Sequence, residues 1–226
     1  MCGRFTLTTS QHDLIHFVEH HFSIQQNDFL STHQPTYNVA PTQSLITILS
    51  DGKINKGGYL PWGFPFEGQS TKTFIVNARS ETVMDKPMFR SSYRGKRCLV
   101  LADGFYEWNR KEKPSQPYYF YLPNHSIFAF AGLWNHYLDK EGEKQFAVTL
   151  LTTASSQTIM EPIHDRLPVV LSPDQYQFWL NKQTPIDELA FLLKPYNAPS
   201  WEKRPISTYV NKVIHNDPQC IETIKK

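Results

Sequence analysis

Between residues 44 and 153 the chain repeats one pattern: a short run of aliphatic, β-branched and aromatic residues, closed by a Gly, Pro or Asn/Asp turn signal. The runs are Ser44 to Leu49, Thr73 to Val76, Arg97 to Leu101, Tyr118 to Leu122, Ile127 to Leu133 and Phe146 to Thr153, with turn signals such as Asp51-Gly52 between them. Short runs of this type, punctuated in this way, imply antiparallel sheets.

Helical signals flank this β-rich stretch. Thr9 or Ser10 followed by Asp13 opens a segment in which Leu14, Ile15, Phe17, Val18 and Phe22 share one face at helical spacing, which predicts an amphipathic surface helix. Two later helices are predicted, from Ser172-Pro173-Asp174 to Leu180 and from Thr184-Pro185 to Leu193. Each begins with a cap residue, a proline at the first helical position and acids in the first turn. The tail then turns polar. No internal repeat or long linker divides the chain, so one β-rich α+β domain is expected over residues 1–226.

Composition narrows the class. With 226 residues, 40% of them hydrophobic and 14% aromatic, the chain can bury a real core. No stretch approaches the ~20 apolar residues of a membrane span, and the start Met-Cys-Gly-Arg-Phe-Thr-Leu lacks the apolar run of a secretory signal, so export is not expected. Cys2, Cys98 and Cys220 form no Cys-x-x-Cys pair and are too scattered for a zinc cage or a disulfide framework. A reducing cytoplasm is therefore expected, with no membrane partner. The net charge of +2 does not by itself announce nucleic acid, although Arg90, Arg94, Lys96, Arg97, Arg110 and Lys111 cluster between Lys86 and Lys113. Such stretches are usually solvated faces.

Chemistry concentrates at a few points. Removal of Met1 would leave Cys2 with its amine and thiol on adjacent carbons, a 1,2-aminothiol. An α-amine ordinarily titrates at ~7.7–8.0 and a thiol at ~8.5, so both are partly nucleophilic near neutrality. Such a pair condenses with an aldehyde, the amine giving an imine and the thiol closing it into a thiazolidine. The bland alternative is a small residue near a frayed terminus. Glu107, in Asp103-Gly-Phe-Tyr-Glu-Trp108, is a carboxylate between aromatics at the end of an apolar run; it suits proton transfer or, more simply, a salt bridge with a nearby arginine. His164, in Ile163-His-Asp-Arg-Leu-Pro168, sits at a loop position open to either a proton-shuttling or a structural role. His12, His16, Glu19 and His20 match a His-x-x-Glu-His pattern. They fall opposite the apolar stripe, in solvent, so no metal site is expected. Asn77-Ala-Arg-Ser-Glu81 ends one strand and Tyr37-Asn-Val-Ala-Pro-Thr42 precedes another, so their polar groups could meet at one sheet rim. Arginines beside Trp62 and Trp108 would suit a single-strand surface, charge tracking phosphates and rings stacking on bases.

Taken together, Met1-Cys-Gly-Arg-Phe5, Asn38-Val-Ala-Pro41, Trp62-Gly63, Asn77-Ala-Arg79 with Glu81, Asp103 to Trp108, His164-Asp-Arg166 with Pro168, and Pro205-Ile-Ser with Val210-Asn211 resemble the SRAP (SOS-response-associated peptidase) family. The resemblance runs in family order from residue 1 to about residue 217. It implies a distorted barrel-like core of antiparallel sheets with flanking helices. It also implies single-stranded DNA containing abasic sites as the partner, bound by a monomer that forms a thiazolidine crosslink through its N-terminal cysteine and has a lyase character. Cys2 would be the nucleophile, freed by self-directed removal of Met1. Asn77 would position the sugar and the new N-terminus, and Glu107 and His164 would shuttle protons. Contacts to phosphates and bases would map to Arg4, Asn38, Pro41, Arg79, Trp108, Thr153 and Arg166. No cofactor or metal is implied, the replication machinery is a second candidate partner, and association with the nucleoid would follow DNA binding.

One departure bears on that expectation. Many members carry a longer segment with a second tryptophan between Trp-Gly and Asn-Ala-Arg, where this chain has Phe64 to Thr73; the family's wedge against flanking duplex is thereby in doubt. Two other functions stay open: an N-terminal-nucleophile amidohydrolase, which would also begin Met-Cys-Gly, and a reader of modified DNA that forms no covalent bond.

Overall fold

The computed structural model describes residues 2–66, 73–196 and 201–224. Its first half contains β1 (Phe5–Leu7), α1 (Gln11–Phe22), β2 (Thr36–Val39), β3 (Ser44–Ser50), β4 (Asn55–Pro61), β5 (Phe64–Phe66), β6 (Thr73–Ile75), β7 (Asn77–Arg79) and α2 (Pro87–Gly95). There follow β8 (Arg97–Ala102), β9 (Gly104–Asn109), β10 (Gln116–Tyr121), β11 (Phe128–Leu138), β12 (Lys144–Ala154), β13 (Arg166–Pro168), β14 (Val170–Leu171), α3 (Tyr176–Leu180), α4 (Ile186–Leu192) and β15 (Glu202–Pro205).

Strand β8 shows why the molecule is layered. All six of its residues are buried, and they divide by alternation: Cys98, Val100 and Ala102 enter one core, Leu99 and Leu101 another. A strand covered on both faces reads as a continuous apolar run, which is how it reads in the sequence. The large sheet runs β13-β12-β11-β8-β3-β4, and the small one β15-β10-β9-β1-β2. Phe5, Phe105 and Phe120 of the small sheet meet Val100, Phe130, Val148 and Leu150 of the large one between the layers. Leu14, Val18 and Phe22 of α1 pack with Tyr93 of α2, Trp179 of α3 and Leu189 of α4 against the large sheet's other face. The barrel-like core therefore consists of two facing open sheets and not one closed sheet.

The predicted α1 forms with Ser10 as its cap, the hydroxyl accepting the Asp13 amide at 3.1 Å. His12, His16 and His20 lie on its exposed face. Three differences from the sequence reading stand out. The large sheet is mixed: β7 lies parallel to β12, with Asn77 opposite Leu150. The basic stretch contains a helix, α2, whose Phe89 and Tyr93 face inward while Arg90 and Arg94 stay outside. Arg97 is not on a solvated face, because its guanidinium is buried and donates to the carbonyls of Tyr93, Arg94, Trp179 and Asn181. The middle of the departure between Phe64 and Thr73 lies outside the described residues; its ends pair as β5 and β6, Phe64 opposite Ile75.

Candidate functional site

Cys2 stands just before β1, whose position is held from several sides. Phe5 pairs with both Val39 and Phe105, and the Tyr106 amide donates to the Arg4 carbonyl at 3.0 Å. Asp103, fully buried, accepts from the Thr6 hydroxyl at 2.6 Å and from the amides of Thr8 and Thr9. This carboxylate fixes the exit of β1 as the strand pairing fixes its course. Residues 5–7 are consequently built into the small sheet between β9 and β2.

Three further segments bring chemistry to Cys2. Asn77, at the start of β7, donates its side-chain amide to the Cys2 carbonyl at 2.7 Å. Its Oδ1 is buried and has no hydrogen-bond partner among the described residues. Glu107, on β9 opposite Tyr118, is buried, and its Oε1 lies 3.7 Å from Nε2 of His164. His164 is presented by a tight turn in which its amide donates to Met160 and its carbonyl accepts the Ser155 hydroxyl. The Arg166 amide donates to Nδ1 of His164 at 3.0 Å, which assigns the proton of the neutral ring to Nε2, the nitrogen facing Glu107. Asp165, 86% exposed, also lies 3.0 Å from Nδ1; a ring accepting the Arg166 amide there cannot donate to it, which leaves the ring proton on the side of the buried Glu107.

The Cys2 thiol is fully buried and directed to the Arg4 carbonyl at 3.7 Å. Burial, reinforced by the negative charge of Glu107, pushes it far above the usual thiol range. Near neutral pH it is a thiol, not a thiolate.

The residues expected to contact DNA separate into two clasps and a remainder. Arg4 donates Nη1 to Asn38 Oδ1 and the Val210 carbonyl, both at 2.8 Å, and Nη2 to the Asn211 carbonyl at 3.2 Å. Asn38 is buried, and its amide nitrogen serves the carbonyls of Val210, Lys212 and His215. In this structure Asn38 is therefore a clamp on the C-terminal loop and has no open surface. Trp108 Nε1 donates to Asn211 Oδ1 at 2.8 Å. In the second clasp Arg166 grips Glu81 as a fork, at 2.6 and 2.9 Å, and also donates to the Thr152 carbonyl at 2.6 Å. The hydrogen bonds from Arg166 hold the Glu81 carboxyl below its ordinary range, against a smaller opposing effect of burial. Arg79 is exposed, Pro41 half-buried, and Thr153 buried in β12 opposite Leu167.

Two open cavities flank the Glu107 and His164 pair. One, of about 550 Å³, is lined by Arg110, Lys111, Ser155, Glu161 and His164 among others. The other, of about 500 Å³, is lined by Gly3, Arg4, Glu107, Trp108, Arg110 and Ser115. Arg110 borders both; their linings together set Arg4, Arg110 and Lys111 against Glu107, Glu161 and Asp165, with Trp108 as an aromatic wall of the second. A third cavity, of about 430 Å³ between His33, Tyr59 and Leu101, touches none of the chemical groups just named. Among the described residues no group of three or more His, Cys, Asp or Glu side chains is arranged to hold a metal ion. No helix among them is long and apolar enough to cross a membrane. Asn216 was invisible to sequence reasoning, yet its Oδ1 accepts the amides of Tyr37 and Asn38. A lone asparagine in a polar tail carries no periodic signal that could have marked it.

The two-sheet α+β fold, with a buried residue-2 cysteine beside a carboxylate and imidazole pair, defines a class of protein organised around its own N-terminus. The sequence profile of the SOS response associated peptidase (SRAP) family matches residues 1–213, and the chain belongs to that family. It is 40% identical to the abasic site processing protein YoqW of Bacillus subtilis, over 99% of this chain and 100% of the relative. It is 31% identical to the abasic site processing protein HMCES of Xenopus tropicalis, over 85% of this chain and 67% of the relative. Among solved structures, a protein from Bacteroides thetaiotaomicron superposes with a TM-score of 0.83 at 24% identity, over 99% of this chain and 100% of the other, a likeness of fold.

Proposed function

We propose that the protein processes abasic sites in single-stranded DNA by covalent capture, after the bond between Met1 and Cys2 has been cleaved by the protein itself. The family membership and the abasic-site relatives support the substrate. The chemistry rests on one observation: Asn77 holds the Cys2 carbonyl at 2.7 Å while Glu107, paired with His164, lies near enough for its charge to bear on the Cys2 thiol.

The steps follow from those positions. The α-amine of Cys2 attacks the ring-opened aldehyde, and the carbinolamine loses one water to give an imine. Asn77 orients the amine, with its partnerless Oδ1 as the acceptor for an amine proton. The thiol then adds to the imine carbon while its proton passes to the imine nitrogen, closing the thiazolidine. Because the buried thiol is held neutral, that addition needs a proton acceptor; Glu107 accepts and returns the proton, with Nε2–H of His164 stabilising the carboxylate. The cavity bordered by Arg4, Trp108 and Arg110 takes the flanking phosphates and bases, with Arg79, Thr153 and Arg166 as further candidate contacts. Peptidase action is confined to Met1, and lyase character is the competing forward fate of the same imine, in which the sugar C2′ loses a proton and the 3′-phosphate leaves by β-elimination.

Incubation with a single-stranded oligonucleotide carrying one abasic site tests this on a denaturing gel. A shifted band is expected with wild type only, absent with Cys2→Ala and with undamaged DNA. A band that persists with Cys2→Ala would refute capture by the cysteine.

A further inference from the structure

The hairpin of β11 and β12 outruns the sheet that carries it. β8 pairs with β11 only as far as Leu133, after which the Trp134 amide makes one more bond, to the Lys96 carbonyl. Beyond that point β12 is the only strand among the described residues paired with residues 134–138. Residues directly opposite each other in an antiparallel pair share a face. Trp134, His136 and Leu138 therefore stand on one side of the hairpin together with Phe146 and Lys144. That side carries the core between the two sheets, where Val148 and Leu150 lie, out into solvent: Phe146 is 39% exposed and Leu138 65%. An open strand face is ordinarily polar, and apolar side chains gathered on one mark an interaction site.

The face is stiff and cationic. The hairpin turn is closed by Asp139, whose carboxylate accepts the amides of Glu141 and Glu143 and the side-chain amide of Gln145. Tyr137, on the reverse side, packs against the helix-covered core. The Lys96 ammonium sits 5.6 Å from the centre of the Trp134 ring, and the Lys144 ammonium 5.6 Å from that of Phe146. Among the described residues neither lysine has a carboxylate within ion-pair distance. Both charges reach His136, which desolvation and then Lys144 and Lys96 hold below the ordinary imidazole range.

Uncompensated cations around exposed apolar side chains suit an anionic occupant with apolar groups of its own. A nucleic-acid strand fits poorly, because Phe146 is tilted 48° to Trp134 and 58° to His136 and two of these three rings carry an ammonium. Successive bases need open, stackable ring faces. A second copy of this chain, joined across a two-fold axis, would set lysine against lysine.

We propose that this face docks an acidic segment of a partner protein, its carboxylates held by Lys96 and Lys144 and an aliphatic or aromatic side chain seated against Trp134, Phe146 and Leu138. Phe146 lies about 14 Å along β12 from Leu150, the residue opposite Asn77. The docked segment thus leaves Cys2 and Asn77 open, and the site stands independently of the reaction proposed above.

The test uses full-length protein and fluorescein-labelled synthetic peptides in which aspartate alternates with leucine, isoleucine or phenylalanine, each beside a twin with asparagine for aspartate. Anisotropy is read for wild type, for Leu138→Ser combined with Phe146→Ser, for Lys144→Glu and for the conservative Lys144→Arg. All these positions are exposed, and matching thermal melts verify folding. Wild type and Lys144→Arg should bind at least one acidic peptide and none of the asparagine twins. The serine pair and Lys144→Glu should each weaken that binding about tenfold, the scale of one apolar contact or one charge pair lost. Crosslinking to an abasic single strand should proceed at the same rate in all four proteins. Failure of every acidic peptide to bind, or equal binding by all four proteins, would overturn the proposal. Loss of affinity for an undamaged single-stranded oligonucleotide in the serine pair would overturn it in favour of a nucleic-acid surface. A wild-type dimer in sedimentation that the serine pair abolishes would do so in favour of a second copy.

Discussion

Replacing Asn77 with alanine separates positioning from stability. In the structure its amide makes one neutral hydrogen bond, 2.7 Å long, to the Cys2 carbonyl. Losing a partner of a buried carbonyl costs about 1–3 kcal/mol of stability. In a chain of this size each kcal/mol lowers Tm by about 2–4 °C, so the variant stays folded at 25 °C. The reaction should suffer more than the fold. Without Asn77 the Cys2 carbonyl loses its anchor at the start of β7, and a displacement of about 1 Å in a reacting group costs about 100-fold in rate. That corresponds to about 2.7 kcal/mol in the barrier. Asn77→Asp keeps the acceptor and puts a second oxygen against the carbonyl, so it should be no better than alanine. The assay is single-turnover crosslinking to an abasic single strand at saturating protein. Both proteins should be released from a cleavable tag so that each begins at Cys2, which removes any defect in Met1 cleavage from the comparison. A rate for Asn77→Ala within about threefold of wild type would refute the positioning role.

Other perturbations test the remaining parts. Cys2→Ser keeps the amine but replaces the sulfur that closes the ring, so its adduct should be a reversible imine, seen on a gel after borohydride reduction and lost without it. Crosslinking by wild type should rise with pH through the ordinary α-amine range of ~7.7–8.0 and then level off. No second rise near ~8.5 is expected, because burial and then the Glu107 charge hold the Cys2 thiol far above that value; two resolved ionisations in the rate profile would count against a neutral thiol. Glu81 has its carboxyl held down chiefly by Arg166, so the stabilisation from this pair is present above the unfolded value of ~4.3 and fades as pH falls through the lower folded value. With the Glu81 side chain 46% exposed, Glu81→Gln should cost less than about 1 kcal/mol near neutrality. The Tm difference from wild type should vanish in acid, and a difference unchanged down to pH ~3 would contradict the linkage.

Much of the fold can be read from local pattern. The α1 stripe of Leu14, Val18 and Phe22 and the runs that became β3, β8, β11 and β12 carry their periodicity or their apolar length on the surface of the sequence. What escapes is what tertiary pairing decides. β7 is three residues long and owes its existence to β12, and β1 is a strand because β2 and β9 flank it. Arg97 sits in a charged stretch and is buried only because four carbonyls meet its guanidinium. The site divides in the same way. Cys2 behind the initiator methionine, Asn77 and Glu107 at expected strand ends and His164 in a loop stand out in the sequence, but how they are brought together depends on register between distant segments. Asn38 shows the limit most clearly: its motif marked it as important, and only the structure reveals a buried amide spanning the turn from Lys212 to His215.

The most direct measurement is the intact mass of the adduct formed with an abasic single-stranded oligonucleotide, followed by peptide mapping of the attachment point. Covalent capture predicts a mass equal to protein without Met1 plus oligonucleotide minus one water, with the mass increment mapped to Cys2. An adduct that retains Met1, or one mapped to a lysine, would contradict it.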